Sequence, residues 1–152
     1  MSNILNETQL LDTISEHTVL MRDAVWLRHI RYNQKNYGFT KTLTAIKEDP
    51  TKAVVLGAGP GFKQFGLADL GRIVTHRRSH GSPLLIACDG ALSTLSTIGE
   101  PCDYVTTVDS HPVVANFFRR NREILSRVKG VLLCTSIHRD VVDACIDAGL
   151  KD

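Results

Sequence analysis

Apolar residues in the first thirty positions recur at helical intervals. Leu11, Ile14, Met21 and Val25, flanked by Leu10, Leu20, Leu27 and Ile30, fall three, four and seven apart, which predicts a helix from about Thr8 to Ile30. A polar stretch with interspersed aromatics, Arg31 to Gly38, reads as a connection. A shorter helical pattern through Leu43 and Ile46 then stops at Glu48-Asp49-Pro50. Residues 1–50 are therefore expected to form a helical arm.

Beyond Pro50 the pattern changes to short continuous apolar runs: Ala53 to Leu56, Leu84 to Cys88, Tyr104 to Val108 and Val131 to Cys134. Runs of this length, apolar at successive positions, suit strands of a parallel sheet covered on both faces. Between them lie segments of helical period. Phe62, Phe65, Leu70, Ile73 and Val74 make one face; Val114, Phe117, Phe118, Leu125 and Val128 make another, with Pro112 in a first helical turn where its missing N–H costs nothing. A last helix is expected from about Arg139 to Ala148, ended by Gly149. Four β–α units result, and strict alternation predicts an α/β fold: a Rossmann-like parallel sheet of about four strands, order 3-2-1-4, with flanking helices. Residues 51–152 form this domain. The chain stops at Leu150-Lys151-Asp152, where a next strand is expected, so the natural protein or a partner is expected to continue the sheet.

Charge and cysteine content narrow the class. The formal net charge of +2 is spread along the chain, with Arg77-Arg78 and Arg119-Arg120 as the tight basic pairs, which does not indicate nucleic-acid binding. Cys88, Cys102, Cys134 and Cys145 lie far apart with no C-x-x-C pair, so free thiols in a reducing compartment are expected. Glu7, Asp12, Glu16 and His17 interrupt the amino-terminal apolar residues, and no apolar run approaches the roughly 20 residues that span a bilayer. A cytoplasmic location with no membrane association is the expectation.

In a parallel sheet, ligands sit at the carboxyl ends of the strands. The first such end, Gly57-Ala58-Gly59-Pro60-Gly61, is a glycine-rich turn. Glycine permits positive φ and removes side chains that block a ligand, while free N–H groups and the following helix N-terminus attract phosphate or carboxylate. The spacing G-x-G-x-G is neither the dinucleotide fingerprint nor a Walker A loop, and a tight turn without ligand is the bland alternative. Asp89-Gly90 ends the second run; an acid there accepts hydrogen bonds from a ribose or caps the helix that follows. Asp109-Ser110-His111 ends the third. Asp109 is a candidate metal ligand or orienting carboxylate and His111 a candidate acid or base, against the alternatives of a helix cap and a loop residue. Thr135-Ser136 ends the fourth run and completes the candidate ligand-binding set with Ser110. His76 and His80, in a basic helix end, read as a solvated terminus rather than zinc ligands; Arg119, Arg120, Arg122 and Arg127 read as an exposed helix face.

Taken together, Val54 to Phe62, Cys88-Asp89-Gly90-Ala91-Leu92 with Leu95 and Ile98-Gly99, and Pro101-Cys102-Asp103-Tyr104-Val105-Thr106-Thr107-Val108-Asp109 resemble the family of archaeal 6-hydroxymethyl-7,8-dihydropterin diphosphokinases and the related motility-associated-factor proteins of flagellin glycosylation. The resemblance covers roughly Lys52 to Gly149. It implies a nucleotide site lined by Gly57, Gly59, Gly61, Asp89 and Asp109, a nucleotide donor (ATP or a nucleotide sugar), magnesium at Asp109, and transfer of a glycosyl or pyrophosphoryl group. The diphosphokinase members carry a second acid two residues before the last aspartate; here that position is Thr107, and Val108-Asp109-Ser110-His111-Pro112 with the helical arm looks more like the glycosylation branch. Two other readings stand beside this one. Leu56 to Gly61 with Asp89 also resembles the first motif and ribose acid of S-adenosylmethionine methyltransferases. A non-catalytic assembly module would instead use the arm, through Trp26 and Leu27, to pair with itself or another protein.

Overall fold

The computed structural model describes residues 7–37, 52–81 and 83–150. The short helical pattern around Leu43 and Ile46 lies outside the described residues. In chain order the elements are α1 (Glu7–Tyr37), β1 (Ala53–Leu56), α2 (Pro60–His80), β2 (Leu84–Cys88), a 3₁₀ turn (Asp89–Ala91), α3 (Leu92–Ile98), β3 (Tyr104–Thr107), α4 (Val114–Arg120), α5 (Arg122–Leu125), β4 (Gly130–Leu133) and α6 (Arg139–Asp147). All three strand pairings are parallel, so the β–α alternation is realised as an α/β fold with a four-stranded parallel sheet. Among the described residues no helix is long and apolar enough to cross a membrane.

The strand order is β1-β2-β3-β4, not the expected 3-2-1-4: β4 pairs with β3 and leaves β1 at the opposite edge. The strands advance in one direction, and the reversal that creates a doubly wound crevice does not occur among them. Right-handed crossovers that all step the same way put their helices on the same side of a sheet. The burial pattern agrees with that. In the row Leu56, Ala87, Val105, Val131 the first three side chains are buried, whereas in the adjacent row Val55 is 67% exposed and Ile86 and Tyr104 are only half-buried. The apolar runs were thus not evidence of two covered faces, because apolar residues on the second face are partly open to solvent.

Behind the covered face, Phe118 of α4, Leu92 and Leu95 of α3, Leu125 of α5 and Val141 of α6 are fully buried with Leu85 and Val105 of the sheet. The helical segment expected to run from Val114 to Val128 is broken at Asn121. Its buried amide donates to the Phe117 carbonyl and to Ser93 Oγ, and its φ of −112° leaves the helical region. Helix α1 errs the other way, continuing through the polar Arg31 to Tyr37 stretch expected to be a connection. Polar contacts hold that stretch, so apolar periodicity could not reveal it. The four cysteines are free; burial pushes the Cys102 thiol up to about 11 and that of Cys145 up to about 12, which keeps both protonated and inert.

Register at the amino-terminal edge of the sheet is set by Asp103, a carboxylate only 3% exposed. Its backbone N–H donates to the Leu85 carbonyl and its carbonyl accepts from the Lys129 N–H, so the residue joins β2 to the entry of β4. Its Oδ2 accepts the Leu85 N–H at 2.8 Å; its Oδ1 meets the Arg77 guanidinium at 2.5 Å and Lys129 Nζ at 3.2 Å. Burial alone pushes this carboxyl up. The hydrogen bonds from Arg77, Leu85 and Lys129, with the Arg77 charge, outweigh it and hold the group below the ordinary value of 3.8.

Because the folded carboxyl titrates below the unfolded one, its stabilisation is complete above about pH 4 and is lost as pH falls through the depressed folded value. Asp103→Ala removes one member of a buried charged cluster and is expected to cost about 3 kcal/mol in urea denaturation at pH 7, with the difference from the wild type narrowing as the pH is lowered below 4. A variant equally stable at both pH values is incompatible with this role.

Candidate functional site

The carboxyl ends of β1, β2 and β3 lie side by side, and two close contacts knit them together. A methyl group built on Gly90 would sit 2.5 Å from the Ala58 Cβ, so the glycine turn after β1 rests directly on the Asp89-Gly90 turn after β2. Thr107, at the end of β3 and 4% exposed, donates its hydroxyl to Asp89 Oδ2 at 2.6 Å, while Asp89 Oδ1 accepts the Gly90 N–H. The Asp89 carboxylate therefore spans β2 and β3. The alternative of Asp89 as a cap is met only by this bond to its immediate neighbour.

The glycine turn is open. Gly57 and Gly59 have no atom within 4 Å of where a Cβ would stand, and Gly59, with φ −66°, is the N-cap of α2. Neither glycine has positive φ, so the turn's requirement is empty space above the backbone rather than a left-handed conformation. Pro60 takes the first helical position and Gly61 the second. The first-turn N–H groups of this 21-residue helix have no acceptor within the helix and face the same end of the sheet.

Beside this corner, α1 crosses the ends of β3 and β4. Its contacts are polar and spaced along one helical stripe. Trp26 Nε1 donates to Ser110 Oγ at 3.0 Å, His29 Nδ1 lies 3.0 Å from the Ser136 carbonyl, and Tyr37 donates its hydroxyl to Asp143 at 2.7 Å. Asn33, fully buried, donates its amide to the Thr135 and Ile137 carbonyls at 3.0 and 2.8 Å, leaving its own Oδ1 without a partner. Arg139 of α6 stacks over the Tyr32 ring. The half-buried Trp26 is thus engaged within its own chain, while Leu20 and Leu27 are exposed.

Between α1 and the strand ends lies a cleft of about 330 Å³, with Arg22 and Arg28 on one wall and Asp109, His111 and His138 on the other. Asp109 Oδ1 accepts the His111 N–H at 2.9 Å, a local turn that fixes the carboxylate. His111 Nδ1 accepts the Val113 N–H and His138 Nδ1 accepts the Asp140 N–H, so in the neutral state each ring carries its proton on Nε2. The Ser136 carbonyl can only accept, so His29 holds its proton on Nδ1. Burial, with the nearby His29, Arg139 and His111, holds His138 below the usual histidine range against the opposing pull of Asp140. Among the described residues no group of three or more His, Cys, Asp or Glu is arranged to hold a metal ion.

The residues expected from sequence thus divide into three groups. Gly57, Gly59, Asp89 and Gly90 form one corner, with the backbone of Gly61 at the start of α2. Asp109 and His111 line the cleft with Ser110, which is also bound to Trp26. Thr135 and Ser136 serve α1 instead: their carbonyls receive Asn33 and His29, and the Ser136 hydroxyl pairs with Cys134 Sγ at 3.2 Å. Sequence reasoning missed Arg22, Arg28, His29 and His138 as site residues. The available signal was the spacing of Arg22, Trp26, His29, Asn33 and Tyr37, a polar stripe at helical period.

Gly90→Ala is expected to cost about 1–3 kcal/mol in chemical denaturation through the clash with Ala58, and Ala58→Gly in the same chain should recover most of it; loss without recovery would break the inferred contact. Asn33→Ala strips the donors from two carbonyls and should cost about 2 kcal/mol, with amide exchange accelerating in α1 more than in the sheet. Uniform acceleration would mean that α1 does not dock through this residue. No family model, curated protein or solved structure matches this chain.

Proposed function

We propose that this chain is a nucleotide-binding transferase domain of the 6-hydroxymethylpterin diphosphokinase-like family, moving a glycosyl or pyrophosphoryl group from a nucleotide donor held at the carboxyl ends of β1, β2 and β3. The observation that carries the reading is the convergence of the three segments on which the resemblance rests. Ala58 touches Gly90, and Thr107 reaches Asp89. The open glycine turn and the first N–H groups of α2 would receive donor phosphate. Each Asp89 oxygen accepts one internal hydrogen bond and keeps a lone pair for a ribose hydroxyl.

Asp109 is exposed and has one oxygen uncommitted, suited to a magnesium ion as a single carboxylate ligand or to the hydroxyl of an acceptor. Magnesium would neutralise phosphate charge there. His111 carries its neutral-state proton on Nε2, so in that state it suits a hydrogen-bond donor toward a leaving group rather than a base. Thr107, engaged with Asp89 where the diphosphokinase branch has an acid, favours glycosyl over pyrophosphoryl transfer.

Titration of the whole chain with ATP–magnesium, cytidine and uridine nucleotide sugars and S-adenosylmethionine tests this. A nucleotide at a hundredfold excess over its Kd should stabilise the fold by about 2.7 kcal/mol, read as a rise in melting temperature that shrinks in Asp89→Ala. No rise with any nucleotide sinks the proposal, and a rise with S-adenosylmethionine alone transfers the site to methyl-group chemistry.

A further inference from the structure

We infer that the cleft beneath α1 is a second binding site, for an oxyanion carried by a small molecule as a phosphate or carboxylate. The inference goes beyond the nucleotide reading: it shares Asp109 and His111 with that reading but uses neither the glycine turn nor Asp89. Arg22, Arg28, His111 and His138 each offer an N–H to the cleft, which His29 and Ser110 also line. Arg22 and Arg28, six residues apart on α1, form no ion pair among the described residues. Opposite them, His111 and His138 have Nδ1 occupied by backbone N–H groups, so each neutral ring has only an Nε2–H left to offer.

Acceptors in the same space are fewer: the Asp109 carboxylate and the His29 Nε2, left bare when its Nδ1–H faces the Ser136 carbonyl. Asp109 is the one carboxylate of the lining, and its Oδ1 is taken by the His111 N–H. With the histidines neutral, two arginines and one aspartate leave the lining with an excess positive charge and at least one guanidinium without a carboxylate of the lining to match it. Guanidinium geometry pairs with the planar or tetrahedral oxygens of carboxylate and phosphate. Arg22 and Arg28 are exposed, and they line a concavity whose other wall is a second element, against which α1 is held by Trp26, His29 and Asn33. The apolar Val25 and Pro112 also line it and leave room for the body of a small ligand rather than a bare ion.

Trp26 provides a local reporter, because it is the single tryptophan of the chain and its indole N–H is bonded to Ser110 at the cleft. Inorganic phosphate, glycerol phosphate and lactate should be titrated separately into the whole ¹⁵N-labelled chain while the indole cross-peak is followed. Saturable movement with the phosphates alone assigns the site to a phosphate group; movement with lactate alone assigns it to a carboxylate. Arg22→Gln combined with Arg28→Gln should raise the Kd about tenfold or more while the ligand-free indole peak stays in place, showing that α1 remains docked. The inference is overturned by an indole peak that none of the three ligands moves, or by an unchanged Kd in the docked double variant. In Asp89→Ala the nucleotide-dependent rise in melting temperature should shrink while the indole response to phosphate or lactate persists, so the two proposals fail separately.

Discussion

The buried carboxylate of Asp103 fixes the starting line of the sheet. Strands of four or five residues offer few ladder bonds and little side-chain area with which to choose a register, and a parallel pair cannot inherit one from a tight hairpin. Asp103 supplies the choice from outside the ladder, gripping Leu85 on one side, Lys129 on the other and Arg77 at the end of α2. Once β2, β3 and β4 start in step, their carboxyl ends finish in step. The contact of Thr107 with Asp89 depends on that alignment, at the far edge of the sheet from the charge that causes it.

Helix α1 completes the opposite edge by a different kind of interaction. Carbonyls of Thr135, Ser136 and Ile137 emerge after β4 where no strand among the described residues receives them, and a buried carbonyl without a donor is costly. Asn33 and His29 satisfy them from α1, so the helix is bound by the unpaired backbone of the turn it covers. Holding it there also brings two arginines of α1 over Asp109 and His111. Structural economy at the sheet end and the electrostatics of the cleft have the same origin.

The fold class was readable because it rests on local and near-local information. Four apolar runs alternating with helical periods specify parallel β–α units, and Gly59-Pro60 and Gly81 mark the limits of α2 where the backbone requires them. Asp89, Asp109 and the glycine turn were legible as strand-end chemistry for the same reason. The place of β4 was not, since Val131 to Leu133 suit the flank of β1 as well as that of β3; the choice is made by Asp103 and Lys129 through contacts that no periodicity encodes. The break at Asn121 and the extension of α1 to Tyr37 escaped likewise, one decided by a side-chain amide and the other by carbonyls about a hundred residues away.

By itself, then, the sequence determined that strands and helices alternate, that the strands run parallel, and that glycines and acids gather at their carboxyl ends, because these follow from backbone sterics and the spacing of apolar side chains. Tertiary structure alone decided which strands are neighbours, which sheet face is covered, and which residues oppose Asp109 and His111. Those outcomes depend on pairing between distant polar groups whose energy exists only once both partners are buried together.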